Sequence, residues 1–302
     1  MTNSYHTPVL LKACIENLDI KPGGIYVDLT FGGGGHSVAI LKKLNANGKL
    51  LAFDQDEDAQ KNLLKDKRFT LIPQNFRYLK NYLRLNGIKK VNGILGDLGV
   101  SSHQFNEASR GFSIRFDSEL DMRMSSANPT TAKKIINEYN EKQLLLIFKN
   151  YAELINAHKL TQLIVKAREK EVIETTLRLL EIIKPCTPKF EANKFQAKVF
   201  QALRIEVNQE MQALDECLTQ CVDLLEKDGR LVIISYQSLE DRMIKNLIRS
   251  GNTKGEEVKD IIYGTSNKIF KNLTSKPIVP DEEEIKKNTR AKSAKMRVGV
   301  KI

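Results

Sequence analysis

Short aliphatic and β-branched runs alternate with amphipathic stretches along the first hundred residues. Residues 24–30, Gly-Ile-Tyr-Val-Asp-Leu-Thr, form an apolar run that leads into glycines, the pattern of a buried strand. A helix is expected over 37–44, where Val38, Leu41 and Leu44 share one face. Strands are expected at 49–54, with an acidic end, at 69–72 and at 91–97, with a helix near 58–64. Strands alternating with helices at this spacing predict an open, doubly wound parallel α/β sheet.

The next convincing strand is 230–235, Arg-Leu-Val-Ile-Ile-Ser, announced by the Asp228-Gly229 turn. About 130 residues separate it from the strand at 91–97, whereas a parallel crossover needs only a dozen or so. Apolar residues at 203, 207, 211, 214, 218, 222 and 225 predict one long helix over 200–226. The intervening residues 105–199 read as an inserted, all-α domain, with helices at 131–136, 141–151, 157–170 and 175–183. The sheet domain is then discontinuous, 1–104 with 200–302. Beyond residue 250 the pattern weakens to a lysine-rich loop over 251–276 and an edge strand over 296–302.

Charge adds a partner class. The net charge is +11, and the last 17 residues carry seven Lys or Arg and no acid. Such a balance suits a polyanion, because bound phosphates release counterions. Of the 48 basic residues 34 are Lys, a bias that AT-rich coding produces unaided, so charge by itself leaves nucleic-acid binding an even choice. Arg290, Lys292, Lys295 and Arg297 are the candidates for phosphate contacts. No run approaches the roughly 18 apolar residues of a membrane helix, and the N-terminus lacks a basic-then-apolar leader. The expectation is a cytoplasmic protein with no membrane partner. Four cysteines, Cys14, Cys186, Cys217 and Cys221, form no CxxC pair and have no histidine at zinc spacing. They read as buried thiols, and no metal is expected.

The chemistry concentrates at strand ends. The first strand runs into Thr-Phe-Gly-Gly-Gly-Gly-His, residues 30–36, where glycines permit positive φ and close approach of backbone to a ligand. A dinucleotide fingerprint begun at Gly32 or Gly33 would need its third glycine at Ser37 or Val38, and no GxxxxGK[ST] occurs. Asp28 precedes the loop and suits a cation or amine. Asp54 ends the second strand, where a carboxylate accepts both ribose hydroxyls of an adenosine ligand. Asp97 ends the fourth strand, at the edge where open α/β sheets place their chemistry. Acids at three strand ends favour S-adenosylmethionine over a nicotinamide.

Several local sequences are longer than these motifs. His-Thr-Pro-Val-Leu-Leu (6–11), Tyr-Val-Asp-Leu-Thr-Phe-Gly-Gly-Gly-Gly-His-Ser (26–37), Asp-Leu-Gly-Val-Ser-Ser (97–102), Arg-Gly-Phe-Ser (110–113), Leu-Asp-Met-Arg-Met (120–124), Phe-Gln-Ala-Leu-Arg-Ile-Glu-Val-Asn (200–208) and Ser-Leu-Glu-Asp-Arg (238–242) stand in that order. Together they resemble the bacterial RsmH, or MraW, family across nearly the whole chain. The resemblance implies a Rossmann-like, class I S-adenosylmethionine-dependent methyltransferase with a helical insertion. It implies methylation of the N4 amine of a cytosine in the decoding region of 16S rRNA, with the small ribosomal subunit as partner, and it leaves room for a homodimer. The implied cofactor residues are Gly34, Gly35, His36, Asp54, Phe76, Asp97 and Gln104. Arg110, Asp121 and Arg123 are the substrate-side candidates, with an internal Asp121–Arg123 salt bridge as the alternative.

The chain departs from the family in three places. Tyr236-Gln237 stands where Phe-His is usual, Lys-Phe-Gln-Ala-Lys at 194–198 replaces a His-Pro-Ala-Thr-Arg stretch, and Asn-Thr-Arg at 288–290 replaces Asn-Pro-Arg. Asp97 is the expected catalytic group, it or the backbone just after it accepting a hydrogen bond from the target amine, although the acid-Pro-Pro-aromatic motif of many amino-methyltransferases is missing here. The alternative function is methylation of another nucleic-acid amine, such as the N4 of a DNA cytosine. A third reading, a nucleic-acid-binding module with a decayed site, predicts no adenosylmethionine binding.

Overall fold

The computed structural model describes residues 8–256 and 268–302. His6 and Thr7 of the first motif lie outside the described residues, as does much of the expected lysine-rich loop. In chain order the elements are α1 (Leu11–Leu18), β1 (Ile25–Asp28), α2 (Gly35–Leu41), β2 (Lys49–Phe53), β3 (Phe69–Ile72), α3 (Leu79–Leu85) and β4 (Val91–Asp97). Six helices follow: α4 (Ser102–Asn106), α5 (Ala132–Glu138), α6 (Glu141–Asn150), α7 (Ala157–Arg168), α8 (Thr176–Ile183) and α9 (Ala192–Asn208). The chain ends with α10 (Glu210–Leu224), β5 (Leu225–Ser235), α11 (Ser238–Ser250), β6 (Phe270–Asn272), α12 (Glu282–Lys287) and β7 (Lys295–Lys301).

Two compact units result, Met1–Gly99 with Met211–Ile302, and Val100–Glu210. The helical unit is thus wider at both ends than the 105–199 expected from sequence. In the first unit seven strands form one sheet in the order β3-β2-β1-β4-β5-β7-β6. Strands β3, β2, β1, β4 and β5 are parallel, and β7 runs antiparallel to both β5 and β6. The expected edge strand at the C-terminus is therefore interior, because the short β6 covers its outer side.

Side chains alternate between the two faces of the sheet, as the pleat requires. Val27, Leu51, Phe53, Ile94, Leu231 and Ile233 share a core with α3, α10 and α11. Tyr26, Leu50, Ala52, Leu95, Val232 and Ile234 share another with α1, α2 and β7. Both faces are covered, which explains why these strands read as continuous apolar runs.

Two sequence expectations need correction. The stretch near 58–64 forms only a 3₁₀ segment, Glu57–Asn62, which Asp56 caps by accepting from the Asp58 amide. The single helix over 200–226 is two helices, α9 and α10, broken at Gln209 with φ +50°. The apolar period runs through the break because each half buries a face, but in different cores. Val199, Phe200, Leu203 and Val207 serve the helical unit. Leu214, Cys217, Leu218, Cys221 and Leu224 serve the sheet.

Asn208, the last residue of α9, staples the helical unit. Its buried side chain accepts from the Met124 amide at 2.7 Å and donates to the carbonyls of Met122 at 2.9 Å and Arg204 at 2.8 Å. Asn208→Ala strands a buried amide and a buried carbonyl. It is expected to destabilise the helical unit by about 2–3 kcal/mol, read as lost hydrogen-exchange protection of the Met124 amide.

Candidate active site

Open α/β sheets bind ligands beyond the carboxyl ends of their strands, where the strand order reverses. Here that point lies between β1 and β4, which are neighbours although β2 and β3 continue on the other side. The chain keeps sheet-like bonds past β1: Leu29 donates to the Leu95 carbonyl and Phe31 to the Phe53 carbonyl. The glycine loop is therefore anchored to the ends of both neighbouring strands.

Asp28 organises the start of this loop. One carboxylate oxygen accepts from the Thr30 amide at 3.1 Å, and the other from the Ser37 hydroxyl at 2.7 Å. With only 1% of Asp28 exposed, its task is to tie the loop to α2, and the expected direct contact with a cation is not supported. Burial pushes its carboxyl up, against the opposing pull of His36 and the two hydrogen bonds.

Gly32 and Gly34 adopt left-handed backbone, φ +51° and +77°. A Cβ built on Gly32 or Gly33 would meet no atom within 4 Å, whereas one on Gly34 would crowd the Phe31 ring and one on Gly35 would overlap the Pro8 ring. The loop thus has a packed side, which explains Gly34 and Gly35, and an open side along Gly32 and Gly33. His36 follows on α2 and is buried. Its Nε2 lies 3.1 Å from the Val9 carbonyl. A carbonyl only accepts, so Nε2 carries a proton and Nδ1 faces Asp97 Oδ2 at 4.0 Å.

Asp54 follows β2. One oxygen accepts from the Gly32 amide at 2.7 Å, the other from the Asp56 amide at 2.8 Å. Unlike Asp28 it keeps a partly exposed surface, so its remaining lone pairs are reachable. Desolvation pushes its carboxyl up to about 6, although the two amides pull the other way.

Asp97 closes β4. Its amide donates to the Thr30 hydroxyl at 2.7 Å, and its Oδ1 accepts from the Tyr236 hydroxyl at 2.8 Å. Its side chain is 22% exposed. Desolvation raises its carboxyl, opposed by His36 and Tyr236. Asp28, Asp54, Asp97, His36 and the glycines therefore meet at one edge of the sheet. Phe76, in the 3₁₀ turn after β3, is half-buried and packs on the sheet core.

The other expected residues belong to the helical unit. Gln104 caps α4 reciprocally with Ser101, its Oε1 accepting from the Ser101 amide at 3.0 Å. Arg110 donates to the carbonyls of Arg123 at 3.0 Å and Met124 at 3.4 Å. Arg123 grips Asp121 with two bonds of 2.8 Å. The internal salt bridge held open by the sequence is thus present, and these three residues build one another's loop. In the C-terminal segment Arg297 is only 8% exposed and pairs with Asp241 at 2.5 and 3.0 Å, so it is withdrawn from the phosphate candidates.

Sequence reasoning missed Tyr236 and Glu240 as site-forming residues. Glu240, buried in α11, accepts from the amides of Tyr236 at 3.0 Å and Gln237 at 3.2 Å. Together with Asp241 it accounts for two residues of the Ser-Leu-Glu-Asp-Arg motif: one caps the helix and shapes the turn, the other clasps β7. The signal was a motif of unassigned purpose directly after a strand.

A sheet of this strand order, reversing only at β7 and opening its ligand edge beside β1, defines a class I S-adenosylmethionine-dependent methyltransferase. The residues present fit that methyl donor, which carries two positive centres, a sulfonium and an ammonium. The open side of the glycine loop is a cradle, and the crowded carboxyls of Asp28, Asp54 and Asp97 gain from a nearby cation. The chain belongs to the MraW methylase family, whose model matches residues 3–302. A protein of Christiangramia forsetii named ribosomal RNA small subunit methyltransferase H is 55% identical over 99% of this chain and 98% of its own. A Bacteroides fragilis protein of the same name is 52% identical over 99% and 98%. A solved structure described as a putative rRNA-methylase from Clostridium thermocellum is similar at 12% identity and a TM-score of 0.45, covering 98% of this chain and all of that one. None of these similarities supports the homodimer. Among the described residues no helix is long and apolar enough to cross a membrane.

Proposed function

We propose that this chain methylates the N4 amine of a cytosine in small-subunit rRNA, acting in the cytoplasm on the decoding region. The observation that carries the reading is Asp97: a partly exposed carboxylate at the β4 edge, beside a glycine cradle, with one oxygen already held. Full-length identity above 50% to proteins named for small-subunit rRNA supports the substrate.

The exocyclic amine of cytosine is a poor nucleophile because its lone pair is delocalised into the ring. Bound S-adenosylmethionine supplies an electrophilic methyl group. Asp97 Oδ2 accepts a hydrogen bond from N4, orients the lone pair, and takes the proton that the nitrogen sheds as its new bond forms. Its raised basicity suits that task, since a stronger acceptor withdraws the proton earlier. Asp54 would hold the ribose hydroxyls, the backbone around Gly34, Gly35 and His36 would line the methionine side, and Phe76 would offer a face to the adenine. The target base must leave its stack to reach such a site, and Arg110, Asp121 and Arg123 are the substrate-side residues that the family resemblance implies.

Mass spectrometry of small-subunit rRNA from cells lacking the gene tests the proposal. Loss of one methyl on a cytosine N4, restored by purified protein, is the expected result. An unchanged methylation pattern overturns it.

A further inference from the structure

Tyr236 stands at the mouth of the site without a role in the reaction just described. It directly follows β5, the strand paired with β4 as far as Asp97↔Ile234. Topology therefore brings two residues 139 positions apart to one edge. Its backbone is fixed by Glu240, which accepts from its amide at 3.0 Å. Its ring lies beside the loop that leaves β4, where Gly99 takes φ +103° and a Cβ would sit 3.6 Å from the ring. Its hydroxyl ends 2.8 Å from Asp97 Oδ1. One hydrogen bond thus holds the backbone of Tyr236 and another aims its hydroxyl at Asp97 Oδ1.

We propose that Tyr236 is the positioning residue for Asp97, fixing Oδ1 so that Oδ2 is the oxygen offered to the substrate amine. This deepens the methyl-transfer reading and rests on Asp97 being the acceptor. A free carboxylate rotates between equivalent orientations. A hydroxyl on one oxygen, with the Asp97 amide held by Thr30, leaves a single orientation. Tyr236 acts only as a donor, because burial and the adjacent Asp97 charge push its phenol far up. It therefore steadies the ionised form of Asp97, and is not itself the group that takes the proton.

The groups facing Asp97 define the balance. His36 on α2 and Tyr236 favour the ionised carboxylate; Asp28 at the end of β1 and Glu284 on α12 oppose it, as does desolvation. Cys14 on α1 lies close enough to feel the Asp97 charge, and its thiol is pushed far up, so it stays neutral. Removing the Tyr236 hydroxyl subtracts one of the two favourable contributions and leaves the unfavourable ones untouched. The Asp97 carboxyl must then titrate at higher pH.

Tyr236→Phe keeps the ring and its packing, and 3-fluorotyrosine at 236 supplies a stronger donor. Carboxyl-carbon NMR on aspartate-labelled protein, with Asp97 identified by its absence in Asp97→Asn, reads the Asp97 titration directly. The phenylalanine variant should raise the midpoint by about one pH unit, and the fluorinated side chain should lower it. With rRNA substrate, the acidic limb of kcat/KM should move in the same directions, and the alkaline plateau of Tyr236→Phe should fall about tenfold as the ionised carboxylate loses its fixed orientation. An unmoved titration in both variants, or an alkaline plateau of Tyr236→Phe equal to the parent's, overturns the proposal. If the parent protein transfers no methyl group to rRNA, the functional reading fails by itself, and the NMR result still decides the role of Tyr236.

Discussion

Asp97→Asn is expected to lower kcat for methyl transfer by about 10²–10⁴-fold, the usual worth of a positioned general base. The substitution is nearly isosteric. The Tyr236 hydroxyl can still donate to the amide oxygen, and the backbone bond between the Asp97 amide and Thr30 is untouched. What disappears is an anionic acceptor for the substrate proton. The loss should therefore appear in turnover far more than in cofactor affinity, a split that single-turnover kinetics and calorimetric titration resolve. Near-normal turnover by Asp97→Asn would remove Asp97 from the chemistry.

Asp54→Ala is expected to weaken adenosylmethionine binding by about 10²–10³-fold. Two hydrogen bonds from ribose hydroxyls to a carboxylate contribute on the order of 1.5–2 kcal/mol each, and every 1.4 kcal/mol is tenfold in affinity. The pH dependence follows from the sign of the shift. The carboxyl sits at about 6, so it is ionised at pH 8 and protonated at pH 5. Affinity of the parent should be steady above pH 7 and fall as pH drops through about 6, by up to tenfold per unit. In Asp54→Ala this contribution is absent and the profile is flatter. Calorimetric titration across pH 5–8 checks both, and an affinity within a few-fold of the parent would exclude Asp54 as the ribose acceptor.

How far the chain could be read in advance varied with the kind of information. The strand at 91–97 matches β4, which is covered on both faces and so reads as a mostly apolar run, and that at 69–72 matches β3, an edge strand with Thr70 exposed between apolar neighbours. The glycine loop and the acids at 28, 54 and 97 were legible for a related reason: strand ends are local features, and parallel order places them at one edge. Their division of labour was not legible. Asp28 and Asp54 differ little in local sequence, yet Asp28 is sealed against Ser37 and Thr30 while Asp54 keeps an open side. Likewise the apolar period over 200–226 says that a face is buried but not in which core, so the break at Gln209 was invisible.

The amino-acid sequence by itself determined the alternation of strands and helices, the helical insertion, the glycine loop with its flanking acids, and the family resemblance. All of these are written in residues near one another along the chain. The tertiary structure alone decided which oxygen of Asp97 is held, that Gly35 makes room for Pro8, that Arg297 belongs to Asp241, and that Tyr236 reaches the site at all. Each of those facts joins residues tens to hundreds of positions apart. Their distances are set by strand order and packing, which no local pattern encodes.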